Sequence, residues 1–172
     1  MLPFLFPKTL DTQQRDNLNL SQLKELKPKL EGKKIFFPVV GDSMLYSTGA
    51  FLLEAMKKVI PDVEEEFIPG ISAHSLAASV AKKFLVMSDE ILSIIPGTSE
   101  PEKISEIIRH SDTIAIYKPS AIRDIQTHID PSAFRKIIRV EHAGSPEKER
   151  ILEGISALKD IGEYMSILLL WR

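Results

Sequence analysis

The chain has 172 residues, 44% hydrophobic and 27% charged, and its 22 Lys and Arg against 24 Asp and Glu leave a net charge of −2. That balance excludes a disordered chain and supplies no global field for nucleic acid or an anionic membrane surface, while the length fits one ordinary domain or two small ones. Cysteine is absent, which removes disulfides, thiolate nucleophiles and thiolate metal sites together.

The opening Met1-Leu2-Pro3-Phe4-Leu5-Phe6-Pro7 lacks a basic leader and a small-residue cleavage site, so it reads as mature sequence. No apolar run approaches the ~20 residues of a membrane helix, and the cytoplasm is the expected location. A polar span from Lys8 to Asn19 follows. Ser21 then stands as an N-cap before Leu23, Leu26 and Leu30 at helical spacing, with Pro28 disturbing the end.

Ile35 to Val40 is apolar nearly throughout, as expected of a strand covered on both faces, although Pro38 removes one ladder donor. It ends in Gly41-Asp42. From Met44 to Ile60 the positions Leu52, Met56, Val59 and Ile60 keep a helical period, and Pro61-Asp62 stops it. Val63 to Ile68 reads as a second strand, Pro69-Gly70 as a turn and Ser72 as a cap. Ala73, Leu76, Ala77, Val80 and Phe84 then continue as a helix.

The period is lost between Leu85 and Glu90, which suggests a domain boundary near Ser88-Asp89, dividing the chain into 1–88 and 89–172. Ile91 to Ile95 is the next strand, and Ser99 with Glu102 forms a capping box before Ile104, Ile107 and Ile108. Thr113 to Tyr117 and Ile137 to Glu141 are further short apolar runs, with Ile122, Ile125 and Ile129 suggesting a short helix between them. Ser145-Pro146 opens a predicted helix with Ile151, Ile155 and Leu158 on its core face, and Met165 to Trp171 reads as a central strand. Alternation of strand and helix makes the fold α/β, in two small domains.

Four strand ends carry small or polar residues suited to a ligand: Gly41-Asp42, Pro69-Gly70-Ile71-Ser72-Ala73-His74, Tyr117-Lys118-Pro119 and Val140-Glu141-His142-Ala143-Gly144. In open α/β sheets ligands bind just beyond the carboxyl ends of strands, where helix starts offer free backbone donors. Taken singly, each stretch equally reads as ordinary turn chemistry, and Asp42 as a helix cap. His74 and His142 lack a second ligand at metal-binding spacing, so no metal site is expected.

The motifs Gly41-Asp42-Ser43-Met44-Leu45-Tyr46-Ser47-Thr48, Phe67-Ile68-Pro69-Gly70-Ile71-Ser72-Ala73, Thr113 to Lys118 and Val140 to Ile151 fit one pattern in order and spacing. The chain resembles the tetrapyrrole (corrin and porphyrin) methylases that use S-adenosylmethionine. Within them it is most similar to the precorrin-2 or cobalt-factor II C20-methyltransferases of cobalamin synthesis. The resemblance implies two α/β domains, a homodimer and a tetrapyrrole substrate, without nucleic-acid or membrane partners. It also implies cofactor contacts at Val40, Gly41, Asp42, Leu45, Ser72, Ala73, Lys118 and Ala143.

Two departures accompany it. The family opens with a strand and a glycine-rich turn that this sequence does not show, so the first domain is expected to be incomplete. Ser43 also stands where the family usually has proline. If the chain is catalytic, the reaction is an in-line methyl transfer to a ring carbon, and Asp42, Tyr46 and Glu141 are conceivable bases for a later proton removal. One alternative is an inactive methylase remnant. Another is a Gly-Asp-Ser esterase using Ser43, but no histidine has Asp three residues before it, and Asp124 with His128 is one residue too far.

Overall fold

A computed structural model describes residues 2–6, 11–158 with the backbone of 159, and 162–172. The beginning of the expected polar span, at Lys8, lies outside the described residues. By its internal contacts the chain divides into two compact units, Met1–Gly70 and Ile71–Arg172.

In the first unit α1 (Thr12–Leu30) begins at Asp11, whose carboxylate accepts the backbone N–H groups of Gln13 and Gln14. Asp11, rather than Ser21, is therefore the N-cap, because its side chain satisfies donors that the helix leaves open. Ser21 lies mid-helix with its hydroxyl donating to the carbonyl of Leu18. Pro28 is accommodated inside α1, two residues before its end.

The second helix, α2 (Gly49–Val59), starts later than the periodicity from Met44 suggested. It packs against α1 through Leu52, Ala55, Met56 and Val59, which meet Leu23 and Leu30. The guanidinium of Arg15 stacks 3.7 Å above the Phe51 ring, a cation–π contact that also covers apolar surface. Gln22 fixes the opening segment by bonding both the N–H and the carbonyl of Leu5.

Neither expected strand of this unit joins a hydrogen-bonded ladder. Segments 34–40 and 64–68 form no backbone–backbone hydrogen bond among the described residues, and Phe36 and Val40 are 83% and 88% exposed. A continuous apolar run marks a chain able to be a central strand. Pairing requires a neighbour on each side, and Pro38 removes one donor. One face of α1 also carries Asn19, fully buried, with neither amide atom hydrogen-bonded among the described residues.

The second unit is a mixed sheet with helices. Its elements are α3 (Ala73–Val80), β1 (Leu92–Pro96), α4 (Pro101–Arg109), β2 (Thr113–Tyr117), α5 (Ile125–His128), β3 (Lys136–Glu141), β4 (Arg150–Glu153), α6 (Ile155–Lys159) and β5 (Ser166–Trp171). The strand order is β1-β2-β5-β3-β4, parallel for β1 with β2 and antiparallel for the other pairs. The apolar runs over 113–117, 137–141 and 165–171 become the three inner strands.

One sheet face, with Ile114, Ile116, Leu168, Leu170 and Ile137, packs on Ile104, Ile108, Ile125, Ile129 and Leu158 from the helices and loops. On the other side α3 lies against β5, and the Trp171 indole N–H donates to the Phe84 carbonyl at 3.0 Å. These contacts belong to the compact unit Ile71–Arg172.

Three local expectations differ. No helix opens at Ser145-Pro146, because residues 150–153 instead form β4 along the edge of β3, and only 155–159 turn helical. The supposed helical period of Ile151 and Ile155 mimics an exposed edge strand followed by a short helix. At α4 the N-cap is Glu100 and Pro101 occupies the first helical position, so Ser99 makes no capping box. Helix α3 stops at Val80 rather than running to Phe84.

Replacing Asn19 by Leu removes buried amide atoms that lack partners, so N19L is expected to raise the unfolding free energy by about 1–3 kcal/mol, read as a higher urea midpoint. In hydrogen exchange, amides of β2 and β5 are expected to be the slowest, and those of 35–40 and 64–68 to exchange at near-unfolded rates. Protection of 35–40 would contradict the description of that segment.

Candidate functional site

In the first unit the turn after Val40 is built by close backbone approach. Gly41 has φ of 86°, and a Cβ on Gly70 would lie 2.2 Å from the Gly41 carbonyl oxygen, so only glycine fits at 70 without displacing that turn. Asp42 does not cap α2, which begins at Gly49. Its Oδ1 accepts the Met44 N–H at 2.9 Å and closes a local turn. The Ser43 hydroxyl donates to the Ile68 carbonyl at 2.9 Å. That bond ties the turn down where a proline ring would have stiffened it, and it engages the hydroxyl with a carbonyl rather than a base.

Leu45 is half-buried and Val40 exposed in this turn. Burial pushes the Tyr46 phenol above its ordinary pKa. It stays protonated at neutral pH and is a poor base.

In the second unit Ser72, Ala73, Lys118 and Ala143 gather at one end of the sheet, where β1, β2 and β3 finish and β5 begins. Lys118 follows β2 in the left-handed conformation, with φ of 53°. The Gly97 N–H, just past β1, donates to the Tyr117 carbonyl at 2.6 Å, and a Cβ on Gly97 would come within 2.4 Å of the Lys118 carbonyl oxygen. Lys118 Nζ sits 5.6 Å from the centroid of the Tyr164 ring.

Ser72 and Ala73 open α3, and His74 beside them touches Tyr117, the last residue of β2: His74 Nδ1 lies 2.8 Å from the Tyr117 hydroxyl. His74 is therefore a buried partner of tyrosine. Ala143 sits in the turn after β3, whose His142 has φ of 47° and donates its N–H to the Met165 carbonyl at 2.8 Å. The Gly144 N–H is taken by the Glu149 carboxylate at 2.7 Å, and a Cβ on Gly144 would rest 3.4 Å from Leu76 of α3. Half-buried alanines and a helix start thus face one edge, a donor set suited to a ligand read mainly by backbone.

Glu141 is fully buried and occupied structurally. Its Oε1 accepts the Glu163 N–H at 3.1 Å, and Oε2 is 3.5 Å from the Arg150 guanidinium. Gly162 closes over this group, since a Cβ there would meet Arg139 Nη1 at 2.5 Å. His142 Nε2 is 3.7 Å from a Glu163 carboxylate oxygen. No group of three or more His, Cys, Asp and Glu able to hold a metal ion exists among the described residues. None of the described helices is long and apolar enough to cross a membrane.

Sequence reasoning passed over Gly97 and Gly162, and marked Tyr117 only as part of the Tyr117-Lys118-Pro119 strand end without a role for its hydroxyl. Pro96-Gly97 after a strand repeats the Pro69-Gly70 signal and was available; the roles of Tyr117 and Gly162 depend on tertiary neighbours and left no local mark.

The family model for tetrapyrrole (corrin/porphyrin) methylases matches residues 5–158. The chain belongs to this family. It is 27% identical over 114 residues to a cobalt-precorrin-2 C(20)-methyltransferase of Salmonella typhimurium, covering 66% of this chain and 47% of that protein. The chain thus spans about half the length of this curated relative.

In fold it is similar to a cobalamin-synthesis-related protein of Corynebacterium diphtheriae, with TM-score 0.67 and 15% identity over 92% of this chain and 72% of that one. It is also similar to the uroporphyrin-III C-methyltransferase of Thermus thermophilus complexed with S-adenosylhomocysteine, with TM-score 0.62 and 18% identity over 93% and 74% of the two chains. The methylase family and the α/β class expected from the motifs both hold.

Gly97→Ala is expected to cost about 1–3 kcal/mol, because the atom it would strike is backbone rather than a movable side-chain end. Chemical denaturation measures the loss. An unchanged midpoint would mean the Gly97 to Lys118 approach is looser than described.

Proposed function

We propose that this protein is an S-adenosylmethionine-dependent C-methyltransferase acting on a precorrin or cobalt-factor tetrapyrrole of cobalamin biosynthesis, with C20 as the favoured position. The observation that carries the reading is the convergence of Ser72, Ala73, Lys118 and Ala143 at one end of the sheet, in a chain of the methylase family. The C20 position is supported by the Tyr46-Ser47-Thr48 and Pro146 to Ile151 motifs and by the curated relative.

In this reading Ser72 and Ala73 offer the helix start to the cofactor, and Ala143 and Lys118 border it. For the first unit the assignment of Val40, Gly41, Asp42 and Leu45 to the cofactor rests on the resemblance alone. Bound S-adenosylmethionine supplies a methyl group on a positively charged sulfur. The protein's own residues need only hold donor and acceptor in line and keep water away, because no covalent intermediate with a side chain is required. The small side chains at 73 and 143 leave room for a flat ring system, and the Lys118 ammonium offers a counter-charge to ring carboxylates. Asp42 and Glu141 both have structural partners, so neither is assigned as a base.

The working form in this proposal is a cytoplasmic homodimer without nucleic-acid or membrane partners, with 1–88 acting as a partial N-terminal α/β domain and 89–172 as the C-terminal one.

Calorimetric titration with S-adenosylhomocysteine is the direct test. Binding in the micromolar range supports the reading. Absence of heat at millimolar ligand overturns it in favour of a remnant that keeps the fold without the cofactor.

A further inference from the structure

The start of α3 is completed by a side chain from another element. Ser72 occupies the N-cap position with extended backbone, φ −63° and ψ 143°, but its side chain makes no capping hydrogen bond. Helix starts leave several backbone N–H groups without intrahelical partners, and a buried one needs an acceptor. For the N–H of His74 that acceptor is the Tyr117 hydroxyl, at 3.3 Å. The same oxygen lies 2.8 Å from His74 Nδ1. Tyr117 and His74 are 8% and 9% exposed, so both contacts are shielded from water.

A tyrosine hydroxyl has one proton to give and can also accept. The backbone N–H must donate, so the hydroxyl oxygen accepts it, and the same group pairs with Nδ1 in either ring tautomer. The two rings meet edge to face, with centroids 6.0 Å apart and planes inclined at 62°.

We propose that Tyr117 is a positioning residue for the cofactor, its hydroxyl capping α3 across the fold and locking Ser72 and Ala73 against the strand end that presents Lys118. This rests on the cofactor reading above. Tyr117 immediately precedes Lys118, and His74 immediately follows Ala73, so one hydroxyl sets the register between the two peptide corners. His74 Nδ1 is the ring atom that pairs with the hydroxyl and orients it.

The test combines amide exchange at His74 with S-adenosylhomocysteine titration of the full chain. Tyr117→Phe keeps the ring and removes the hydroxyl, and is expected to speed exchange of the His74 amide and weaken binding about tenfold. His74→Leu, which removes the ring partner of the hydroxyl, is expected to weaken binding similarly. His74→Asn, whose side-chain amide can donate or accept in place of Nδ1, is expected to restore affinity to within about twofold of the parent.

Ser93→Ala breaks the 2.6 Å Ser93 to Ser111 hydrogen bond near the opposite end of β1. It is expected to leave binding unchanged, which separates positioning from general loss of stability. Equal affinity of the parent and Tyr117→Phe, or equal loss in the Leu and Asn variants at His74, overturns the positioning role. A parent protein that binds no S-adenosylhomocysteine overturns the cofactor reading instead.

Discussion

The second unit depends on the insertion of β5 between β2 and β3. Leu168, Leu169 and Leu170 are wholly buried, and each fully buried leucine contributes about 1.5–3 kcal/mol. Because consecutive residues point to opposite faces, a strand with three such residues in a row must be covered on both sides. The helices and loops bearing Ile104, Ile125 and Leu158 cover one face, and α3 covers the other. Since β5 runs antiparallel to both neighbours, the carboxyl ends of β2 and β3 fall beside its first residues. The candidate site therefore sits at one end of the sheet as a consequence of strand direction, before any side-chain chemistry is considered.

At that end the backbone is held in conformations that side chains ordinarily avoid. Lys118 and His142 both have left-handed φ values, which are unfavourable for residues bearing a Cβ and persist when neighbours over-determine them. The neighbours are identifiable: Gly97 approaches the carbonyl of Lys118, and the Met165 carbonyl receives the N–H of His142. Below them the buried side chains of Arg139 and Glu141 lie on the face shared with Leu168, with the exposed Arg150 guanidinium and the Glu163 N–H reaching Glu141 from outside. Glu141 is the last residue of β3, two residues before Ala143, and its carboxylate is held by these contacts.

Strands β1, β2, β3 and β5 were legible because each is a short, mostly apolar run rich in Ile, Val and Leu. The same signal at 35–40 and 63–68 did not produce a ladder. Composition reports that a segment can be buried on two faces, whereas pairing depends on a distant piece of chain that composition cannot supply. Conversely β4 was missed because its residues are mostly exposed, and Ser145-Pro146 before it imitates a helix start. Of the site, the corners at 72–73, 118 and 143 were readable from turn chemistry and motif. The hydroxyl of Tyr117 was not, since an inward-facing tyrosine at the end of an apolar run looks like any other core residue. Asp42 was half legible: a capping-type side chain was recognised, but the group it caps is a turn rather than a helix.

The open stretches at 34–40 and 64–68 reach beyond the geometry of the first unit. Among the described residues this main chain lacks backbone–backbone partners, though the Ile68 carbonyl accepts the Ser43 hydroxyl, and apolar neighbours such as Phe36 and Ile68 stand exposed beside it. An extended strand from elsewhere would find unpaired edges at these two lengths of chain, and a charge or proline placed there would blunt them without touching the ladder of the second unit.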